Sequence, residues 1–253
     1  MSAIKMRLVG TLLGLIAPFP EILVAVAVSA AMIIGSGVLS GTLKRRAGWT
    51  TGYTRKLFHF LIFFTAVGLH LWGGMPAVNV LGLGMGIYVI LVVRAGDGNF
   101  FFEALAREKD SPRRGYFIVI PYLTTALGGL IANWLFGAFA VMGYLVGGAA
   151  DAVAEPVGVR FGRHRYRVSS LRKVRTAERS IEGSISVLAV SLVLSALLFS
   201  VYGHLPVTHS LLSAVLLSMA VMFVEAASPH GADNLTIQVT ASGLACLFIR
   251  LWG

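Results

Sequence analysis

Asp151 and Glu155 stand four residues apart, close enough to share one face of a helix. Like charges at that spacing repel unless a cation sits between or beside them. A hard divalent ion such as Mg²⁺ takes oxygen ligands, and it is commonly held by one or two carboxylates together with substrate phosphates. The plainer alternative is a water-lined pair of acids at a helix end. Gly147 and Gly148 precede the pair, and Gly158 and Gly162 follow it. Small residues there let backbone or ligand approach closely.

Three further segments carry residues of similar promise. Arg160-Phe161-Gly162-Arg163-His164-Arg165 sets several cations just beyond the two acids, which suits a polyphosphate bridged by a metal. Arg179-Ser180-Ile181-Glu182-Gly183-Ser184 runs into an apolar stretch, where Ser180 can cap a helix or join Gly183 and Ser184 in offering N–H groups to a phosphate. Glu225 and Asp233-Asn234 flank the tight turn Ser228-Pro229-His230-Gly231, either as a helix cap or as a second carboxylate site for a metal. Earlier in the chain, Arg55-Lys56-Leu57-Phe58-His59 places Arg55 and His59 on one helical face beside Lys56, whereas His70 reads as a packing residue.

The elements that must position these residues are membrane helices. Of 253 residues, 57% are hydrophobic and 13% charged, about half the charged fraction of a soluble domain. Mean hydropathy is +0.81. Apolar stretches of about 20 residues recur, each able to cross ~30 Å of hydrocarbon, and in lipid they must be helical. The predicted fold is therefore all-α, a polytopic integral membrane bundle forming a single catalytic domain over 1–253. Eight spans are expected at about 21–42, 57–73, 76–95, 116–136, 138–157, 183–203, 207–227 and 235–252. The shorter apolar run at 8–19 reads as an interfacial or half-crossing helix retained in the membrane, with a ninth span as the alternative. A short amphipathic helix lying on the membrane surface is expected within 96–115, preceded by a turn at Gly96-Asp97-Gly98-Asn99. The glycines at 82, 84 and 86 suit close helix packing.

The formal charge of +10 is no sign of nucleic acid here. Its cations gather in alternate short loops, the pattern that orients helices with basic loops in the cytoplasm. Of the 11 acidic residues, six lie in the segments 151–155, 178–182 and 225–233, all at those same helix ends. Charged groups at membrane depth are functional candidates by default. The lone cysteine, Cys246, excludes an intrachain disulfide.

Taken in order, Arg55-Lys56-x-x-His59, Asp151-x-x-Ala154-Glu155-x-x-Gly158-x-x-Phe161-Gly162-Arg163-His164, Arg179-Ser180-x-Glu182-Gly183-Ser184, and Glu225 with Asp233-Asn234-Leu235-Thr236 resemble the CTP-dependent lipid-alcohol kinases. That family includes dolichol kinase, phytol and farnesol kinases and the CTP-using diacylglycerol kinase, and is related to the phosphatidate cytidylyltransferases. The resemblance covers about 50–240, leaving the first 50 residues peripheral. It departs at Ala150, where the family has glycine, and at Arg179-Ser180, where it has Lys-Thr. The basic stretch before Glu178 makes Lys173 an alternative for the lysine. Ile237-Gln238 stand where a proline is common.

The resemblance implies phosphoryl transfer from CTP to the hydroxyl of a membrane-dissolved lipid alcohol. The polyanionic nucleotide would arrive from the cytoplasm and the alcohol from the bilayer. Mg²⁺ falls to Asp151, with Glu155, Asp233 or Glu225 as further carboxylates. The phosphate-binding set is Arg55, Lys56, Gly158, Gly162, Arg163, His164, Lys173 or Arg179, Ser180, Gly183, Ser184 and Asn234. Glu182 would orient the loop or the metal, His59 would clamp phosphate or position the alcohol, and Asp233 or Asp151 is the candidate base. Short loops suit a prokaryotic plasma membrane. The resemblance fixes neither the alcohol nor the oligomeric state. Two rival readings are a cytidylyltransferase acting on a lipid phosphate and a small ion-coupled transporter.

Overall fold

The computed structural model describes residues 19–168, 177–229 and 231–253. Lys173, His230 and all but the last residue of the apolar run at 8–19 lie outside the described residues. The elements are α1 (Phe19–Arg46), α2 (Thr51–Ala95), α3 (Phe100–Leu105), α4 (Tyr116–Phe136) and α5 (Ala140–Phe161). An antiparallel hairpin of β1 (Arg165–Val168) and β2 (Ala177–Ser180) leads to α6 (Ile181–Val201), α7 (Val207–Ala227) and α8 (Asp233–Trp252).

Among the described residues, six helical runs are long and apolar enough to cross a membrane, where the sequence suggested eight. The difference lies in two long runs, 51–95 and 116–161. Gly74 breaks the first with φ 63°, a conformation costly for any side chain, and Pro76 follows, whose ring cannot sit against a preceding helical turn. Beyond the break α2 doubles back: Phe58 stacks on Tyr88 at 5.5 Å, residues that a straight helix would hold ~45 Å apart. Gly137, with φ 57°, separates α4 from α5 in the same manner.

The fifth helix is the centre of the bundle. Every residue from Ala140 to Ala150 is buried, as expected of a helix apolar on all sides. It packs on α2, α6 and α8. Glycines permit this contact. A Cβ on Gly143 would meet the Gln238 carbonyl of α8 at 2.6 Å, one on Gly147 would meet the Gln238 side chain at 3.2 Å, and one on Gly148 would collide with Phe63 of α2. Small residues four apart are how membrane helices approach without a hydrophobic driving force between them.

The outer wall is apolar. Leu83, Trp134, Val193, Val201 and Val207 are all at least 65% exposed, which in water would be a severe liability and in lipid is the proper surface. The chain is thus a multi-pass membrane protein. Helix direction sends Trp72, Trp134, Tyr202 and Trp252 to the end opposite the ionic residues, the position of an interfacial aromatic belt.

The fold is all-α as expected, with one addition: the long polar stretch after α5 pairs Arg165 with Ser180 and Arg167 with Glu178 as a two-stranded hairpin. The short helix expected in the 96–115 loop forms as α3, and its apolar face packs on the bundle. Phe102, Ala104 and Leu105 are buried, and Thr54 donates to the Ala104 carbonyl at 2.7 Å, tying α3 to the first turn of α2. The preceding turn forms as expected, with Gly96 and Gly98 at positive φ and the Asn99 side chain capping α3.

Candidate active site

The sequence places three polar residues, Arg55, Lys56 and His59, in the first turns of α2, and Asp151 and Glu155 in the second half of α5. Packing of α2 on α5 brings the two sets together. Lys56 Nζ lies 2.6 Å from Asp151 Oδ1 and 3.8 Å from Glu155 Oε2, so it spans the two acids. Arg55 pairs with Glu155 at 3.0 Å, and His59 Nε2 lies 3.3 Å from Asp151 Oδ2. The cation that the like-charged pair demanded is supplied by the protein itself.

Arg107 is a member of this cluster that sequence reasoning left among ordinary loop charges. Its guanidinium is buried, 2.9 Å from Glu155 Oε1 and 2.9 Å from Asp110 Oδ2. Burial works against the cation, but the carboxylates of Glu155 and Asp110 outweigh it and hold the Arg107 pKa above its usual value. Nothing in the local sequence separates Arg107 from its basic neighbours; only the fold gives it a partner.

A second cluster forms where β2, α6, α7 and α8 meet. Arg179 Nε lies 3.3 Å from Glu225 Oε1, and its Nη2 lies 2.9 Å from Asp233 Oδ2. One guanidinium thus bridges two acids. Ser184 donates to Glu225 at 3.2 Å; its only proton being used, it accepts from Tyr166 at 2.7 Å. Burial pushes the Tyr166 hydroxyl above its ordinary pKa, which keeps it a donor. Ser180 caps α6 by accepting from the Gly183 N–H at 3.1 Å, so that amide is already engaged rather than offered to a phosphate. Asp233 does not cap α8 across its first turn; it accepts from the next N–H, that of Asn234, at 3.1 Å.

Two cavities meet between these clusters. One, of about 490 Å³, runs among α2, α4 and α5 and is walled by Phe58, Ile62, Phe63, Val89, Ile118 and other apolar side chains. The other, of about 650 Å³, carries more charged side chains and is lined by Glu155, Gly158, Arg107, Arg179, Ser180, Gly183, Ser184 and Glu225 among others. Arg55, Lys56, Asp151, Gly231 and Asp233 line both. His59 and Asn234 face the apolar cavity. Gly231, at φ 95°, makes the turn that delivers Asp233 to this junction.

Some expected site residues lie elsewhere. Neither cavity is lined by Gly162, Arg163, His164 or Glu182. Glu182 instead pairs with His164 at 2.8 Å and accepts from the His164 N–H at 3.2 Å, pinning the exposed turn that follows α5. Gly158, Gly162 and Gly183 serve close approach: a Cβ on Gly158 would sit 2.9 Å from Ser180 Oγ, one on Gly162 2.8 Å from Ser180 Cβ, and one on Gly183 2.9 Å from the Ala154 carbonyl. Among the described residues, no three His, Cys, Asp or Glu side chains are grouped to hold a metal; the acids form two pairs, each bridged by a cation.

The chain is similar to the phytol kinase of Synechocystis sp., with 32% identity over 115 residues, which is 45% of this chain. The match spans 46% of that relative's length, less than half. No family model matches the chain, and neither does any solved structure.

Proposed function

We propose that the protein transfers the γ-phosphate of CTP to the hydroxyl of a membrane lipid alcohol at the cytoplasmic face. Isoprenoid alcohols such as phytol, farnesol, polyprenol or dolichol are favoured, with diacylglycerol as the other acceptor class. The observation that carries this reading is the shared wall of the two cavities. A cation-rich chamber suited to a triphosphate and an apolar chamber suited to a hydrocarbon chain meet at Lys56, Asp151 and Asp233. The similarity to a phytol kinase supports the same acceptor class. Each arm of α2, and α4 and α5 in turn, crosses the bilayer in this reading, giving eight described crossings with the ionic end in the cytoplasm.

Phosphoryl transfer asks a protein mainly for in-line positioning and neutralisation of charge. Arg55, Lys56 and Arg179 supply the cations, and their present carboxylate partners hold them in place before the nucleotide arrives. The alcohol oxygen attacks the γ-phosphorus, the bond to the β–γ bridging oxygen breaks, and CDP leaves. The hydroxyl proton passes to a carboxylate, Asp151 or Asp233, both of which reach the junction. Their hard oxygen donors also fit Mg²⁺ entering with the nucleotide, which needs only one or two protein carboxylates. Bound there, Mg²⁺ would neutralise charge on the phosphates.

The test is one assay. Purified protein with Mg²⁺ is given γ-labelled CTP, ATP, GTP or UTP over a panel of phytol, farnesol, geranylgeraniol, dolichol and diacylglycerol. Label should enter the lipid fraction, most strongly from CTP. Release of labelled pyrophosphate from CTP and a lipid phosphate would identify a cytidylyltransferase instead. Failure of every nucleotide with every alcohol overturns the kinase reading.

A further inference from the structure

The apolar cavity does not end inside the bundle. Leu83, on the second arm of α2, lines it and is 72% exposed; Leu130, on α4, lines it and is 46% exposed. Both side chains set the cavity directly behind the outer surface, which here faces lipid. The seam between these two helices is built for separation. On α2 it presents Gly82 and Gly86, and on α4 Thr125 and Ala126. Around Gly82 there is open space, with no heavy atom within 4 Å of where a Cβ would sit. A hydrogen bond spans the seam: the Tyr122 hydroxyl donates to the Gly82 carbonyl at 3.1 Å. The ring passes over Gly86, where a Cβ would stand 2.6 Å from the hydroxyl oxygen, so glycine is required for Tyr122 to lie there.

We infer that the seam between the second arm of α2 and α4 is the lateral entrance through which the hydrocarbon chain of the acceptor passes from the bilayer, and that Tyr122 is its gate. This rests on the lipid-acceptor reading above. A long-chain alcohol partitions into the membrane and has no aqueous route to the junction. It slides in sideways with its hydroxyl towards Lys56 and Asp151 and its chain towards Leu130 and Tyr144. Releasing Tyr122 costs little, since a hydrogen bond to a backbone carbonyl has a small net strength and the freed hydroxyl can meet headgroups or water. Opening demands no movement of α5, which fixes Asp151. The entrance would therefore admit the acceptor without disturbing the ionic clusters.

The experiment compares geranylgeraniol in liposomes with prenol, a short alcohol able to reach the junction through water. Gly82→Phe fills the open space in the seam. It should lower the ratio of geranylgeraniol to prenol phosphorylation by about tenfold, a modest share of what mispositioning a reactant can cost. An unchanged ratio overturns the entrance. In parallel, a diazirine-bearing geranylgeraniol analogue is photolysed with protein in liposomes and the labelled peptides are mapped. Label should fall on the segments around Gly82 and Tyr122 to Leu130 and be lost in Gly82→Phe; label confined to the outer faces of α6 and α7 overturns the entrance. Tyr122→Phe keeps the ring and removes the hydrogen bond, and should raise labelling; no change removes Tyr122 as gate. Labelling at the seam in a protein that phosphorylates no alcohol would sink the kinase reading and leave the entrance standing.

Discussion

Lys56 Nζ lies 2.6 Å from Asp151 Oδ1, joining the start of α2 to the middle of α5 across 95 residues of sequence. The same ammonium reaches Glu155 at 3.8 Å. On the far side of the junction, Arg179 performs the equivalent service for Glu225 and Asp233. Each acidic pair is thus bridged by a basic residue, and one acid of each, Asp151 and Asp233, lines both cavities.

Asp151→Asn separates charge from shape. The amide still accepts from Lys56, and Glu155 still lies near that ammonium, so the fold should survive. The rate of phosphoryl transfer should fall about a thousandfold, the range expected for removal of a positioned acid or base. Single-turnover transfer from γ-labelled CTP, read beside the melting temperature in detergent, checks this. A variant that melts normally and transfers normally excludes Asp151 from the chemistry.

Arg179→Gln should destabilise the protein by about 3 kcal/mol, because it leaves two buried carboxylates without their cation. Arg179→Lys keeps the charge but offers one nitrogen where a guanidinium reaches Glu225 and Asp233 at once, so it should recover only part of that loss. Thermal unfolding of the three proteins gives the order directly. Equal stability of the lysine and arginine forms would show that the bridging geometry is immaterial.

Gly148→Ala should cost about 2 kcal/mol, since the added methyl meets Phe63 where α5 and α2 pack, and overfilled contacts are relieved only by moving helices. Gly68→Ala is the control, because a Cβ at that site has nothing within 4 Å. The first substitution should lower the melting temperature and weaken the Lys56–Asp151 alignment, lowering turnover as well. The second should be tolerated in both measurements.

Acid should loosen the 96–115 loop before the bundle. Hydrogen bonds from Arg114 hold the Glu103 carboxyl below its ordinary pKa, and Lys44 does the same for Glu108. In both cases the folded form binds its proton less readily than the open one. Their stabilisation is therefore complete above the ordinary carboxylate pKa, about 4.3, and is lost as pH falls through the depressed values. Proteolytic cleavage between Gly96 and Gly115 by an acid-active protease should rise over that range, and Glu103→Gln should be cleaved readily even near neutrality. A cleavage rate independent of pH in the native protein would contradict this.

The sequence alone determined the membrane helices, because the length of an apolar run and the need to satisfy its backbone in lipid are local facts. It marked the turn at Gly96 to Asn99 for the same reason and Asp151 and Glu155 as sharing a face, but it left Ser180 open between capping a helix and meeting a phosphate. It also placed two successive spans at 57–73 and 76–95, hence a chain reversal between them, but not that Phe58 stacks on Tyr88. Partnership is decided by packing across the chain: that Lys56 and Arg107 converge on α5 acids, that Arg179 takes Asp233, and that Glu182 spends itself on His164 away from the cavities. No residue carries the identity of an ionic partner some 50 to 100 positions distant. An ion pair forms only where packing brings cation and carboxylate within about 4 Å, so the tertiary structure alone could decide which of these charges belong to one site.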